Sequence, residues 1–165
     1  MSFENAVNKK LSDAYEKYSD MLFRIALTQT GNREDAMDCV HDVFLKYLSV
    51  SADFKDDGHE RAWFIRATVN RCHDLIRYKK IRSHPSLDEI SEIVTGPDDT
   101  ETVSQIHRAL ASIPEKYRIA VTLHYLEGFS VEETADILKT GVSAVKMRLL
   151  RGREMIKKFI ETEDK

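Results

Sequence analysis

The chain of 165 residues is long enough for one ordinary domain or two small ones, and its 42% hydrophobic and 32% charged residues are typical of a soluble globular protein. No run approaches the roughly eighteen apolar residues that a membrane-spanning helix needs, and the first residues, MSFENAVNKKL, lack the apolar core of a secretion signal. A net charge of −3 argues against a protein that simply coats nucleic acid. Two cysteines, Cys39 and Cys72, are too few for a disulfide framework, so we expect buried thiols in a cytoplasmic protein.

The first eighty residues are predicted to be helical, because apolar residues recur at spacings of three and four and period-two runs are absent. Gly31 ends the first helix, and Asn32 can cap the second. The polar segment 49–59 predicts a loop, and a long helix follows over about 60–80.

An acidic, proline-containing segment separates these helices from a second helical set. Residues 81–100 carry two of the three prolines and are predicted to form a flexible linker. Beyond it, Pro114 suits the first turn of a helix that stops at Gly128, and Ser130 with Glu133 forms a capping box for the next helix. The expected fold is therefore all-α, with two small helical domains joined by the linker.

The C-terminal third has the pattern of a helix-turn-helix, whose second helix enters the major groove of DNA. A turn over 139–141 follows the capped helix, and the last helix buries a stripe that includes Val145. Its opposite face supplies cations for phosphate and guanine and small or apolar groups for thymine methyls. The candidate reading residues are Ser143, Lys146, Met147, Leu150 and Arg151. A basic helix that only packs and faces solvent is the alternative interpretation.

The long helix over 60–80 carries a second candidate surface, suited to single-stranded or melted DNA. One face collects Trp63, Arg66, Asn70 and Arg77. An aromatic ring can stack on an unpaired base, an amide can read a base edge, and arginine can hold phosphate. Asp74 on the same face is interpreted as a partner of a neighbouring arginine. The alternative is that Trp63 belongs to the core.

Charge is distributed in two basic islands separated by an acidic strip. Residues 61–82 contain seven Lys or Arg against one acid, and residues 142–158 contain six against one. Residues 83–105 contain six acids and no Lys or Arg. This distribution indicates two DNA-facing modules on a tether that avoids DNA, although either island alone could be a solvated helix face.

The second helix carries an acidic face that could bind a basic partner surface. Asp35, Asp38 and Asp42 step by three and four, with His41 beside them, and a solvated face is the alternative. The sequence shows no metal-ligand spacing, no glycine-rich phosphate loop, no nucleophile motif and no convergent acid–base pair. We therefore expect no metal, no cofactor and no catalytic residues, and predict that the protein is not an enzyme.

Four stretches, in this order, resemble a bacterial RNA polymerase sigma factor of the extracytoplasmic-function (ECF) group, the kind with only sigma regions two and four. The first stretch is Asp-Ala-Met-Asp-Cys-Val-His-Asp-Val-Phe at 35–44, and the second is Ala-Trp at 62–63 with Asn-x-x-x-Asp-x-x-Arg at 70–77. The third is Ile-Pro-Glu-Lys-Tyr-Arg at 113–118, followed by Glu-Gly-Phe-Ser at 127–130. The fourth consists of helix-turn-helix residues within 133–151. The resemblance covers about 11–80 and 101–159. The turn at 139–141 differs from the family's more usual Gly-Ile-Ser-x-Gly.

The resemblance implies a transcription-initiation factor that directs promoter-specific initiation. Region two would be 1–80, the linker 81–100, and region four 101–165. Core RNA polymerase would be bound chiefly through Asp38, His41 and Asp42. The face from Trp63 to Arg77 would capture melted minus-10 DNA, and the last helix would read duplex minus-35 DNA. In the family the linker passes near the template path, and an anti-sigma factor is the expected regulator.

Two other classes remain open on the residues alone. One is a stand-alone helix-turn-helix regulator, which would need a dimer interface and would bind duplex DNA without polymerase. The other is an adaptor that binds only protein, which would not need the face from Trp63 to Arg77.

Overall fold

Seven α-helices and one π-helical turn make up the residues that the structure, a computed structural model, describes: 2–50, 53–82 and 101–165. They are α1 (Phe3–Thr30), α2 (Arg33–Ser49), α3 (Asp57–Arg82), α4 (Glu101–Ser112), α5 (Glu115–Val121), the π-helical turn (Thr122–Leu126), α6 (Val131–Leu138) and α7 (Val142–Glu163). No strand occurs in those ranges, and the predicted all-α fold is confirmed. Apart from its first two residues, the predicted linker 81–100 lies outside the described residues. Within the same ranges, no helix combines the length and the apolarity needed to cross a bilayer.

The helix ends predicted from local chemistry are in place. Gly31 adopts the left-handed conformation at a φ of 69°, where an L side chain would be strained, and its N–H closes the last turn of α1. The side chain of Asn32 accepts the hydrogen bond that caps α2. Ser130 and Glu133 form the predicted capping box at α6, with bonds of 3.0 and 3.1 Å. These ends are correct because each depends on residues within about four positions.

The start of α3 differs from the prediction, which placed 49–59 in a loop. The helix begins at Asp57, because Asp56 caps it. The Asp56 carboxylate accepts from the N–H of His59 at 2.8 Å, and its carbonyl oxygen accepts from the N–H of Glu60 at 3.2 Å. The polar composition of the segment concealed a good helix N-terminus.

Helices α1, α2 and α3 pack around a core of large apolar side chains. Leu22, Ile25, Phe64 and Ile65 are fully buried. The two cysteines are free and buried in the same core, as predicted. A hydrogen bond from the thiol of Cys72 to Cys39, together with burial, raises the pKa of Cys72.

One carboxylate ties all three of these helices together at the start of α3. Tyr18 of α1 donates to one oxygen of Glu60 at 2.9 Å, and Tyr47 of α2 donates to the other at 3.1 Å. Burial, followed by the charge of Glu60, raises the pKa of Tyr47 to about 12, so both hydroxyls remain donors at neutral pH. The network fixes the register of the bundle at the end that carries Trp63.

The C-terminal helices have a smaller core centred on the contact between α5 and α7. Its members are Leu110, Ile113, Tyr117, Ala120, Val121, Ala135, Val145 and Leu149. Gly152 of α7 packs against α5: a Cβ built on it would be 2.8 Å from a methyl of Val121. Only glycine fits at this contact unless Val121 or one of the two helices moves.

The two helical sets pack against each other. Ile119, Leu123, Phe129 and Ile137 of the C-terminal set are buried in the same cluster as the core of α1–α3. The sequence left the relative arrangement of the two sets open. In this structure they share one continuous apolar cluster.

Candidate functional site

The helix-turn-helix consists of α6, a turn over 139–141 and α7. Lys139 is the only residue other than glycine with a positive φ (51°) among the described residues, and its N–H bonds to the carbonyl of Asp136. Gly141 then precedes α7 in an extended conformation, without a side-chain cap. The turn is therefore made by a lysine in a conformation that suits glycine.

Replacing Lys139 with glycine should raise the free energy of unfolding by about 0.5–1 kcal/mol, because relief of the left-handed conformation exceeds the entropy cost of glycine. Urea denaturation followed by circular dichroism measures the change. Lys157→Gly is the matched control: it removes the same charge inside α7 and should lower stability by about 1 kcal/mol. A loss of stability in both variants would contradict the strain at Lys139.

All five predicted groove-reading residues are exposed on one side of α7: Ser143, Lys146, Met147, Leu150 and Arg151. The apolar pair is unusual for a solvated surface, since Met147 is 48% exposed and Leu150 43% exposed. Arg151 lies beside Tyr117 of α5, and the favourable interaction of this cation with the phenol oxygen is the main cause of the lowered pKa of Tyr117.

The predicted single-strand face on α3 is only partly open. Asn70 and Arg77 are exposed. Trp63 is half-buried and packs with Phe54, at 6.1 Å between ring centroids, and with Tyr47 at 5.9 Å. Both interpretations of Trp63 therefore hold in part, because one side joins the core cluster and the other remains accessible.

The remaining residue of that face, Arg66, points towards the C-terminal helices. Its guanidinium donates to the carbonyl of Asp136 in α6 at 3.4 Å. One turn earlier, Arg61 pairs with Glu133 at 3.2 Å and lies 4.9 Å from the ring centre of Phe129. Sequence reasoning placed Arg61 in a basic island but assigned it no role, because a partner 72 positions away leaves no local pattern.

These contacts border a cleft of about 490 Å³ between the N-terminal part of α3 and α6. The lining combines cations and anions from both helical sets. Its charged and imidazole side chains are Asp56, His59, Arg61, Arg66, Glu133, Asp136 and Lys139.

The predicted polymerase-binding residues lie on the outer side of α2. Asp38 and His41 are exposed, whereas Asp42 is ion-paired to Arg71 of α3 at 2.7 Å. This hydrogen bond to Asp42 is the main cause of the raised pKa of Arg71. Asp42 therefore links α2 to α3 in addition to facing outward.

An exposed apolar stripe on α2 was missed. Met37, Leu45 and Leu48 are 44%, 65% and 42% exposed, on the same side of the helix as His41. Their helical spacing, away from the buried stripe, could have indicated an exposed apolar surface. It was hard to recognise in the sequence because apolar residues occur on more than one side of this helix. An apolar stripe beside carboxylates is suited to binding another protein.

Comparison with known proteins identifies both helical sets. Residues 14–81 match the family model for sigma-70 region 2, and residues 104–156 match the model for sigma-70 region 4. The ECF RNA polymerase sigma-E factor of Escherichia coli K12 is 30% identical over 137 residues, covering 74% of this chain and 72% of that protein. The ECF RNA polymerase sigma factor SigM of Mycobacterium tuberculosis is 27% identical over 146 residues, covering 88% and 74%.

The fold is also that of a solved sigma factor. The sigma factor RpoE of Bartonella quintana, solved in complex with the anti-sigma factor NepR, aligns with a TM-score of 0.73 and 18% identity, covering 93% of this chain and 98% of that one.

Proposed function

Because the chain belongs to the ECF RNA polymerase sigma factors, we propose that it binds core RNA polymerase and directs initiation at promoters with a duplex minus-35 element and a melted minus-10 element. The observation that carries the proposal is the α7 face, where Met147 and Leu150 lie exposed beside Lys146 and Arg151. Such a face provides phosphate contacts together with apolar contacts to thymine.

The minus-10 role is assigned to α3. The open side of Trp63 can stack on an extruded base, exposed Asn70 can read a base edge, and Arg66 and Arg77 can hold phosphates. The proposed division of the chain follows: 1–80 for polymerase and minus-10 DNA, 81–100 as linker, and 101–165 for minus-35 DNA.

The polymerase contact is assigned to the outer face of α2. Asp38 and His41 are its exposed polar residues, Asp42 borders it, and the apolar stripe of Met37, Leu45 and Leu48 adds buried area on binding. The proposal places the protein with the polymerase in the cytoplasm. Since the similar RpoE was solved with an anti-sigma factor, a protein of that class is the proposed regulator here as well.

In vitro transcription tests this function, with core RNA polymerase and fragmented genomic DNA from the organism that encodes the protein. The 5′ ends of the RNAs are sequenced with and without the protein. We expect start sites that appear only with the protein and share two elements at fixed spacing. Duplex binding without polymerase, and no new start sites, would instead indicate a stand-alone regulator.

Two alanine variants separate the proposed roles. Arg151→Ala should lower initiation about tenfold by weakening minus-35 binding. Trp63→Ala should leave duplex minus-35 binding intact and reduce strand opening, measured by permanganate reactivity of thymines. Arg153→Ala, an exposed arginine off the proposed reading face, is the control. Exchanged effects of the first two variants would overturn the assignment.

A further inference from the structure

The two cysteines of the chain lie against each other in the core of α1–α3. Cys39 belongs to α2 and Cys72 to α3, and both side chains are fully buried. The thiol of Cys72 donates a hydrogen bond to the sulfur of Cys39. The sequence contains no further cysteine, and the proposed DNA and polymerase contacts use neither of these two.

The packing of α2 on α3 brings the two sulfurs together. Asp35 of α2 pairs with Lys79 of α3, and Asp42 of α2 pairs with Arg71 of α3. The two helices therefore run antiparallel, and both cysteines lie between these two ion pairs. In packed helices whose axes are about 8–10 Å apart, facing residues have Cα atoms within the roughly 7 Å that a disulfide can span.

The surroundings of the two thiols make them chemically unequal. The hydrogen bond from Cys72 is the main cause of the lowered pKa of Cys39; burial opposes this effect, and the charge of Arg71 supports it. The same hydrogen bond and burial raise the pKa of Cys72. Since the thiolate is the reactive form, Cys39 is the attacking sulfur and Cys72 the one that resolves the intermediate.

The pair lies one side chain below the surface. Arg71 and His73, the two chain neighbours of Cys72, each have side chains that are 36% exposed. A small oxidant therefore reaches the sulfurs through local opening of the bundle, without global unfolding.

We propose that Cys39 and Cys72 form a redox-active dithiol, which hydrogen peroxide converts to an intramolecular disulfide between α2 and α3. The Cys39 sulfur attacks one oxygen of the peroxide, the O–O bond breaks, and a sulfenic acid and one water are formed. The Cys72 sulfur then attacks the sulfenic sulfur, forms the S–S bond and releases the second water. The two thiols lose two protons and two electrons in total, which reduce the peroxide to two waters, and a thiol reductant reverses the oxidation.

The disulfide would join the helix that carries the proposed polymerase contact to the helix that carries the proposed minus-10 contact. It would also close the loop 39–72, which lowers the entropy of the unfolded chain. The chemistry of the pair does not depend on the proposed function, so failure of one leaves the other standing.

Intact-mass spectrometry of the full-length protein tests the proposal. The reduced protein is treated with a small excess of hydrogen peroxide and then with iodoacetamide. We expect a mass about 2 Da lower, from the loss of two hydrogens, and no alkylation. Dithiothreitol should restore both the mass and the alkylation of two thiols. The melting temperature of the oxidised protein, measured by circular dichroism, should be higher by roughly 10 °C.

Single alanine variants test the order of the two steps. Cys72→Ala should stop at the sulfenic acid of Cys39, which dimedone traps as a covalent adduct. Cys39→Ala should react with neither peroxide nor dimedone, because burial keeps the remaining thiol protonated. Circular dichroism confirms that each variant is folded, and the measurement on the wild-type protein needs no substitution.

Wild-type protein in urea is the control for the oxidant, since both thiols are then accessible. Native protein that keeps two free thiols under conditions that oxidise the protein in urea would overturn the proposal. Oxygen addition at both sulfurs, or a disulfide between two molecules seen on a non-reducing gel, would overturn it as well. Trapping of Cys72 instead of Cys39 by dimedone would overturn the assigned order of attack.

Discussion

Replacing Gly152 with leucine should lower the free energy of unfolding by about 3 kcal/mol, the upper end of the usual cost of overpacking. The first added carbon would already lie 2.8 Å from Val121 and 3.6 Å from the Cβ of Tyr117. Val121 is buried and branched, so α7 has to move away from α5. Since α7 carries the proposed reading residues, minus-35 binding should weaken together with stability.

Urea denaturation and duplex binding measure the two effects. Gly152→Ala should fall between wild type and the leucine variant, because better helix propensity offsets part of the clash. Gly141→Ala is the matched control, since a Cβ at Gly141 meets nothing within 4 Å. Wild-type stability in the leucine variant would mean that the α5–α7 contact is looser than the structure shows.

Replacing Arg118 with alanine should cost about 3 kcal/mol, because one guanidinium satisfies three backbone carbonyls. It donates to Leu110 at 2.9 Å, to Ile113 at 2.8 Å and to Gln29 at 3.2 Å. The Leu110 carbonyl keeps a bond from the N–H of Ile113 at 3.3 Å, so the cost comes mainly from the carbonyls of Ile113 and Gln29. Each of these costs on the order of 1 kcal/mol or more when it is left buried without a donor. Burial disfavours the charged guanidinium and lowers the pKa of Arg118. Its hydrogen bonds to backbone carbonyls offset part of this desolvation cost.

Thermal unfolding of the full chain measures the loss. Arg118→Lys should recover only part of it, because an ammonium cannot reproduce the planar fork. Arg108→Ala, which removes an exposed arginine from pairs with Glu101 and Glu163, should change the melting temperature little. Equal effects at positions 108 and 118 would show that the three carbonyls find other donors.

Local features of this fold were predictable from the sequence. The glycine stop at Gly31 and the capping box of Ser130 and Glu133 each depend on neighbouring residues, and each is present. The all-α fold followed from the helical spacing of apolar residues. The missed start of α3 shows the limit of composition, since the polar segment that predicted a loop contained the cap at Asp56.

The site was predictable as a set of helix faces but not as an arrangement. Periodicity placed the five groove-reading candidates of α7 on its exposed side, where the structure has them. It could not show that Arg61 and Arg66 meet α6, because those contacts join residues about 70 positions apart. Tertiary packing also decides that Trp63 is shared between core and surface, and no spacing rule reports that.

The carboxylate of Glu60, which accepts from Tyr18 and Tyr47, bears on how the protein is made. All three residues, and most of the buried side chains around them, belong to residues 1–82, whereas Ile119, Leu123, Phe129 and Ile137 can join the same cluster only later. At about 5 to 20 residues per second, synthesis of residues 83–165 takes roughly 4 to 17 s. The N-terminal bundle can therefore fold first, and α6 docks later on a preformed surface. During that interval Arg61 and Arg66 lack their partners in α6.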